Sequence, residues 1–381
     1  MKHKVKVNTL TGLLLLFYIS GAALANMLTP VKPFSESENR VLEGRPDFSL
    51  QRLLSGQFTS HYERYTSDQM ALRNLWVGMK TDTDRAMGKQ ESNDVFLGKD
   101  GYLMERYTSP SAAQLKERGE VLQAFDQATP ELRKVLMLVP TAAAFLWDKL
   151  PAYAPSDDQL QDLMRIRELI PGGIRLADAY SALYAERNEP LFYKTDHHWT
   201  TKGAFYAYRE LAGPLEIIPQ DESSFRIQLA TEEFYGSLYS KSGFRRLPPD
   251  EIRLYIPKKA NGLIVTYEEE HRVTDTLYEQ NRLYEKDKYA VFLDGNHALI
   301  RIVTDGAPAK KLLVVKDSYA NSLIPFLTEH YGEIDVVDLR YFSHSLVNLI
   351  WERGFQDMLI LYNLKTFFED PSILNLVEEM P

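Results

Sequence analysis

The chain has no cysteine among its 381 residues, which excludes disulfide bonds, thiolate zinc sites and cysteine nucleophiles. Basic clusters are also scarce, since the only one is near the N-terminus. The net charge is −9. Because a nucleic-acid binder needs a basic surface to neutralise phosphates, the sequence argues against a nucleic-acid partner. Internal repeats and low-complexity tracts are absent as well. A hydrophobic content of 44% is sufficient for one large folded domain or two smaller ones.

The N-terminus carries three lysines in its first six residues, and an apolar run follows from residue 9 to residue 28. A positive segment before an apolar run is typical of a secretory signal or a membrane anchor, and this run is long enough to cross a bilayer. The tripeptide "ALA" at 23–25 has the small-x-small pattern preferred by signal peptidase. We therefore expect residues 1–29 to be a signal peptide or anchor and residues 30–381 to form an exported, extracytoplasmic domain of the cell envelope.

Apolar runs alternate with helical patterns along much of the chain, as in "RKVLMLVP" (133–140), "KKLLVVKDS" (310–318) and "DMLILYN" (357–363). Continuous apolar runs bounded by turn residues are typical of buried parallel strands. Residues 215–300 differ, because strand-like fragments such as "YAVFLDG" (289–295) stand there among polar turns. The sequence therefore predicts an α/β fold with a mostly parallel sheet flanked by helices and a β-rich insertion at about 215–300.

Ser318 directly follows one of these predicted strands and precedes the helical pattern "YANSLIPFL". In an open α/β sheet, active groups gather at the carboxyl ends of the strands. A serine at such a turn would expose its hydroxyl beside backbone N–H groups that can hold a developing oxyanion. Alternatively, Ser318 or Asp317 caps the following helix, which is a common role for both residue types.

The stretch "TDHHWT" (195–200) precedes another helical pattern and admits three interpretations: a metal site, an acid/base pair, or a hydrogen-bonded start of a helix. An imidazole is the usual base for a serine, and a carboxylate that holds its tautomer completes the arrangement. Asp196 would therefore orient His198. Since neighbouring side chains on an extended segment point in opposite directions, we expect His197 to have a structural role. Trp199 is expected to fix the loop by packing.

A metal site like that of the DHH phosphoesterases would need several more aspartates and histidines in clustered motifs. The other six histidines of this chain are scattered along the sequence. We therefore expect neither a metal nor another cofactor.

"TDHHWT", together with the later "KDSYANSLIPFL" and "DLRYF", resembles the DHHW protein family, which is similar to the AlgX/AlgJ-like alginate O-acetyltransferases. The resemblance implies an SGNH-hydrolase-like fold in which the Asp-x-His pair comes before the serine. By position it makes Ser318 the nucleophile, His198 the base and Asp196 the partner of the base. The chain departs from the SGNH pattern at Lys316, where those enzymes have glycine.

What the resemblance implies is an exported serine-dependent acetyltransferase or esterase that acts on an envelope or extracellular polysaccharide. A membrane-bound acyl-transport protein of the MBOAT type is the implied partner. Gly295, Asn296 and Asn321 are candidates for holding the oxyanion or the substrate. Arg340 is a candidate for binding a polar substrate group, although an ion pair explains it equally well. The alternative function is a non-catalytic glycan-binding or assembly component, because a fold does not guarantee activity.

Overall fold

The computed structural model describes residues 2–35, 40–259, 262–305 and 309–377. The chain divides into two compact units, one formed by Met1–Lys89 and Gly243–Arg245, the other by Gln90–Ser242 and Arg246–Pro381. The domain boundary predicted at residue 29 stays a prediction.

The first unit is mainly helical and begins with a long apolar helix. Its helices and its one pair of described strands are α1 (Lys2–Leu28), β1 (Phe34–Ser35), β2 (Arg40–Val41), α2 (Leu50–Leu54), α3 (Gln57–Asp68) and α4 (Arg73–Ala86). Within α1, Thr9–Leu28 is long and apolar enough to cross a membrane, and none of it is buried. A signal sequence and a membrane anchor share this property, so α1 is compatible with both.

The second unit contains the central sheet. Its strands are β3 (Glu91–Ser92), β4 (Val95–Leu97), β5 (Leu103–Glu105), β6 (Arg133–Val139), β7 (Ile174–Ala177), β8 (Phe225–Phe234), β9 (Asp250–Pro257), β10 (Leu263–Tyr267), β11 (Arg272–Thr274), β12 (Leu299–Thr304), β13 (Lys311–Lys316), β14 (Glu333–Val337) and β15 (Asp357–Asn363). Its helices are α5 (Ala112–Ala128), α6 (Ala142–Phe145), α7 (Gln159–Arg167), α8 (Ala179–Ala185), α9 (Thr201–Glu210), α10 (Ala212–Leu215), α11 (Ser237–Ser242), α12 (Ile324–Leu327), α13 (Leu346–Arg353) and α14 (Leu364–Glu369).

The central sheet has eight strands in the order β11-β10-β12-β14-β13-β15-β6-β7. Strands β14, β13, β15, β6 and β7 are parallel, whereas β12, β10 and β11 extend one edge in antiparallel pairing. Side chains of the middle strand β13 alternate between two hydrophobic cores, with Val314 in one and Val315 in the other. A sheet that is buried on both faces explains the continuous apolar runs of the sequence. The predicted mostly parallel α/β fold is confirmed.

The segment 215–300 contributes to two sheets. Strands β8 and β9 form a separate antiparallel pair, and β10 and β11 join the central sheet. The stretch 289–295, predicted as strand-like, instead forms a 3₁₀-helix at Lys288–Val291 and then a turn in which three consecutive residues have φ between 57° and 93°. Left-handed backbone of this kind cannot continue a strand. The sequence pattern misled because Tyr289, Val291 and Phe292 are buried in a third core and Leu293 in the first, so that the side chains do not alternate.

Candidate active site

Ser318 lies where the predicted nucleophile should lie, at the carboxyl end of the central strand β13. Asp317 caps the short 3₁₀-helix Ser318–Ser322 by accepting a hydrogen bond from the backbone N–H of Tyr319 at 2.9 Å. Its second carboxylate oxygen accepts from the N–H of Asn363, at the end of the neighbouring β15, also at 2.9 Å. Asp317 therefore performs the capping, and the Ser318 hydroxyl bonds elsewhere.

That hydroxyl contacts the DHHW stretch, which is 120 positions away in the sequence. The Oγ of Ser318 is 2.7 Å from Nε2 of His198, and Nδ1 of His198 is 2.5 Å from Oδ1 of Asp196. An ionised carboxylate can only accept, so Nδ1 carries a proton and Nε2 is left as the acceptor for the serine O–H. The structure thus brings together the three side chains that the sequence predicts to act as one unit.

Asp196 is buried and has hydrogen bonds on both carboxylate oxygens. Besides the imidazole, it accepts from the backbone N–H of His198 at 2.9 Å and from that of Ser237 at 2.7 Å. Burial acts to raise the pKa of Asp196, but the imidazoles of His198 and His197, in their charged forms, and these hydrogen bonds outweigh it and hold the pKa well below its usual value. Gly236 packs against this carboxylate so closely that a Cβ there would overlap it. The carboxylate is therefore ionised and fixed in position.

His198 is 5% exposed and is packed against other aromatic rings. The ring of Tyr289 is stacked on it, with centroids 3.7 Å apart and planes 7° apart, and the His197 ring lies at the same centroid distance with a tilt of 40°. Burial, followed by the charge of His197, lowers the pKa of His198 to about 4 against the opposing effect of Asp196. The imidazole is therefore neutral at physiological pH and able to accept a proton.

His197 does not point away from His198, so the geometric expectation from the sequence is wrong. Residues 194–198 form a series of bends, and the alternation of side chains along an extended strand does not apply to them. Nδ1 of His197 is 2.6 Å from Oγ of Ser237, and its backbone carbonyl accepts a hydrogen bond from the hydroxyl of Tyr319. His197 is thus engaged with Ser237, whereas Ser318 is engaged with His198. Its structural role stays a prediction.

Trp199 connects the two segments of the site. Its side chain is fully buried, and its indole N–H donates to the carbonyl of Tyr319 at 2.9 Å and to Oγ of Ser322 at 3.0 Å. Thr200 then caps α9 by accepting from the N–H of Gly203. The loop that carries the imidazole is therefore bonded directly to the turn that carries the serine.

Gly295, Asn296 and Asn321 lie together. The amide of Asn321 donates to the carbonyl of Gly295 at 3.0 Å and to Oδ1 of Asn296 at 3.3 Å, and Nζ of Lys316 donates to the same Oδ1 at 2.6 Å. Lys316 is fully buried, which lowers its pKa to about 8, and it lies 3.5 Å from a carboxylate oxygen of Asp338. The lysine that replaces the SGNH glycine is thus taken up by this buried polar network. The roles of the three candidates in binding an oxyanion or a substrate stay predictions.

Arg340, the remaining candidate, is in an ion pair with Asp338. Its Nε and Nη2 donate to the two carboxylate oxygens at 2.8 and 2.5 Å. Such a bidentate contact is the strongest geometry for this pair. The ion pair explains the presence of the arginine, and its role toward a substrate stays a prediction.

Asp196, His197 and His198 offer ligand atoms within 4.8 Å of one another, which keeps the metal alternative in view. However, both nitrogens of His198 already face partners, Asp196 on one side and Ser318 on the other. Nδ1 of His197 faces Ser237. The geometry favours the acid/base interpretation.

Sequence reasoning missed several residues that build the site, namely Tyr289, Ser237, Gly236 and Ser322. Each contributes packing space, a backbone group, a hydroxyl or a ring face, and none of these functions requires a recognisable spacing. Gly236 and Ser237 follow β8, and Tyr289 belongs to the segment that resembled a strand. Ser322 lies inside the quoted stretch "KDSYANSLIPFL", but no motif marks the other three.

The comparisons with known proteins agree with this architecture. The model of the DHHW protein family matches residues 130–337. A DHHW family protein from Eubacterium siraeum is similar in structure, with a TM-score of 0.64 and 22% identity over 75% of this chain and 95% of that chain. Bacillus cereus PatB1, solved with a sulfonyl adduct, has a TM-score of 0.64 and 17% identity over 75% of this chain and 99% of that chain.

The O-acetyltransferase domain of Pseudomonas putida AlgJ is a more distant match, with a TM-score of 0.44 and 17% identity over 74% of this chain and 98% of that chain. Among curated proteins no match is found. At these identities the structural similarity shows the fold. The family model, by contrast, spans more than half of the chain and includes Asp196, His198 and Ser318. The chain therefore belongs to the DHHW protein family.

Proposed function

We propose that this protein is a serine-dependent acyltransferase or esterase that moves an acetyl group, with an envelope or extracellular polysaccharide as acceptor or substrate. The single observation that carries the proposal is the continuous hydrogen-bonded chain from Ser318 through His198 to Asp196, with distances of 2.7 and 2.5 Å. This is the geometry in which a base activates an alcohol and a carboxylate holds the base.

The first half of the reaction transfers the acetyl group to the protein. As Oγ of Ser318 bonds to the carbonyl carbon of the donor, its proton passes to Nε2 of His198. The bond between that carbon and the leaving group then breaks, and the leaving group takes the proton from the imidazole. Asp196 stabilises the imidazolium while it exists. The product is acetyl-Ser318 with a neutral His198.

The second half returns Ser318 to its starting state. A sugar hydroxyl or a water molecule gives its proton to Nε2 of His198 and attacks the acetyl carbon. The ester bond to Oγ of Ser318 breaks, and the serine recovers the proton from the imidazole. With a sugar hydroxyl the outcome is acetyl transfer, and with water it is hydrolysis.

The oxyanion of each intermediate needs hydrogen-bond donors near Ser318. The backbone N–H groups of Tyr319 and Ala320 already donate to Asp317, the first to its carboxylate and the second to its carbonyl. We therefore assign the oxyanion to the backbone N–H of Ser318 itself. The side-chain amide of Asn296 would be the second donor, since that of Asn321 already donates to Gly295 and to Asn296.

The acceptor and the cellular setting follow from the family resemblance. It favours an exported protein that modifies a glycan outside the cytoplasm, with a membrane-bound MBOAT-type protein that supplies acyl groups. The apolar helix α1 supports this setting, since it has the length and composition of a signal or an anchor.

The proposal is tested by reacting the full-length protein, purified in detergent, with p-nitrophenyl acetate. We expect release of nitrophenol and an increase in protein mass of one acetyl group, located on Ser318 by peptide mass spectrometry. A sulfonyl fluoride should block both signals by reacting with the same hydroxyl; the sulfonyl adduct reported for Bacillus cereus PatB1 makes this reagent class a suitable probe.

A glycan-binding or assembly protein would give the opposite result. In that case the folded protein shows neither turnover nor a label on Ser318, while it still retains polysaccharide in a pull-down assay. Its folding is checked by circular dichroism in the same detergent.

The pH dependence follows from the environment of His198. The imidazole acts as a base only when it is neutral, so kcat/KM should fall as the pH falls through the pKa of this group. Because burial lowers that pKa to about 4, the acid limb is expected near pH 4 and not near the ordinary value of about 6.5. The limb is measured from the acetate released from p-nitrophenyl acetate, with circular dichroism at each pH. A limb at the ordinary histidine value would contradict this assignment.

A further inference from the structure

Tyr289 is a buried residue of the 3₁₀-helix Lys288–Val291, in the segment between the DHHW stretch and the nucleophile. It is 4% exposed. Its ring covers the imidazole of His198 almost in parallel, with 3.7 Å between centroids and 7° between planes. Two aromatic rings in a protein core more often meet edge to face or offset. Here the close parallel contact restricts the imidazole to one plane.

The hydroxyl of Tyr289 fixes the ring in that position. It donates to Oγ of Ser322, at 3.1 Å, and lies 3.2 Å from the carbonyl oxygen of Ser318. Oγ of Ser322 also accepts the indole N–H of Trp199. The tyrosine is thus bonded to the nucleophile turn at one end while its ring covers the base.

Several charged and titratable groups face His198 besides this ring. Asp196 is bonded to it and favours the imidazolium, as does the more distant carboxylate of Glu105, whereas His197 opposes it when charged. Tyr319 is nearby as well, with its ring centroid 5.3 Å away. Burial raises the pKa of Tyr289 well above its ordinary value, so Tyr289 stays a neutral phenol and acts through its ring face.

We propose that Tyr289 is a positioning residue of the reaction, which holds the imidazole of His198 in the plane that faces Ser318 and stabilises its protonated form through the stacked ring. The physical reason is that the face of an aromatic ring is negative and attracts a cation, more strongly where water is excluded. At neutral pH the imidazolium exists only while Ser318 or the acceptor is transferring its proton. A ring that favours it therefore lowers the barrier and leaves the resting state almost unchanged.

The effect of Tyr289 on the rate of acetyl transfer rests on the proposed function. Its electrostatic effect on His198 can be measured without any turnover. Three variants of the full-length protein are compared with the wild type: Tyr289→Leu, which removes the ring; Tyr289→Phe, which keeps the ring and removes the hydroxyl; and Phe292→Leu. Phe292 is the matched control, because it is a fully buried ring 5.2 Å from that of Tyr289 and lies outside the triad.

Two quantities are measured for each variant. The first is the protonated fraction of His198 at pH 4, from the chemical shifts of labelled histidine, and the second is kcat/KM for p-nitrophenyl acetate. The loss of a stacked cation contact should reduce the ratio of protonated to neutral His198 about 3- to 30-fold in Tyr289→Leu and lower kcat/KM by a similar factor. Phe292→Leu should stay within about threefold of the wild type in both measurements, and Tyr289→Phe should lose clearly less than Tyr289→Leu, because it keeps the ring face and loses only the hydroxyl.

The inference is overturned if Tyr289→Leu has the same protonated fraction of His198 as the wild type. It is also overturned if Tyr289→Phe and Tyr289→Leu reduce the protonated fraction and kcat/KM equally, because then the ring face contributes nothing. It is also overturned if Phe292→Leu lowers both quantities as much as Tyr289→Leu, which would indicate a general packing effect. Should the wild type show no turnover while the protonated fraction falls mainly in Tyr289→Leu, the acyl chemistry fails and the electrostatic effect of Tyr289 on His198 stands.

Discussion

Replacing Ser318 with alanine is expected to abolish acetyl turnover, with a loss of at least about 10³-fold in kcat/KM, and to remove the acyl label completely. The reason is that Oγ of Ser318 is the atom that forms and breaks the ester bond. The substitution removes that one atom and its bond to Nε2 of His198, while the backbone contacts of the turn remain. We therefore expect the thermal unfolding transition to stay nearly unchanged. Turnover, label and transition are measured on the same preparation.

The matched control is Ser237→Ala, since Ser237 is the second serine whose hydroxyl contacts a histidine of the DHHW stretch. Its contribution to Asp196 comes from the backbone N–H, which alanine retains. This variant should keep the label and lose less than about tenfold in kcat/KM. Should Ser318→Ala keep its label while Ser237→Ala loses it, the nucleophile has been assigned to the wrong serine.

The second large effect distinguishes the two adjacent histidines. His198→Ala removes the only ring that faces both Asp196 and Ser318 among the described residues, so kcat/KM should fall by at least about 10³-fold. His197→Ala should be milder, with a loss below about tenfold, because its ring bonds to Ser237 and only borders the base. Both values come from initial rates with p-nitrophenyl acetate.

The milder variant also has a signature of its own. The charge of His197 helps to lower the pKa of His198, so removing it should move the acid limb of kcat/KM to higher pH. A variant pair with the reverse pattern, in which His197→Ala is inactive and His198→Ala is active, would contradict the assignment of the base.

Much of the fold was readable from the sequence because the central strands are buried on both faces. β6, β13 and β15 each carry the uninterrupted apolar run that such burial demands, and each ends near a polar turn. The pairing of Asp196, His198 and Ser318 could also be predicted, since the family resemblance joined two motifs that are far apart in the chain. Local spacing alone could not have joined them.

The remainder of the site depends on tertiary contacts that leave no periodic pattern. The extended-strand rule failed at His197 because the DHHW stretch bends, and those bends are fixed by a carboxylate from outside the stretch. Asp250 accepts hydrogen bonds from the backbone N–H groups of Lys194 and Thr195, at 2.8 Å in each case. The position of Tyr289 likewise results from the packing of the third core, in which a 3₁₀-helix replaces the predicted strand.

The bond from the Trp199 indole to the serine turn has a consequence for the timing of reactivity. The hydroxyl of Ser318 and the imidazole of His198 come from segments that meet only when the intervening strands have taken their places in the sheet. The indole N–H of Trp199 then bonds the two segments to each other. A newly made chain that has not yet folded carries an ordinary, unreactive serine. The hydroxyl of Ser318 therefore gains its base only when the tertiary structure that brings His198 to it is complete.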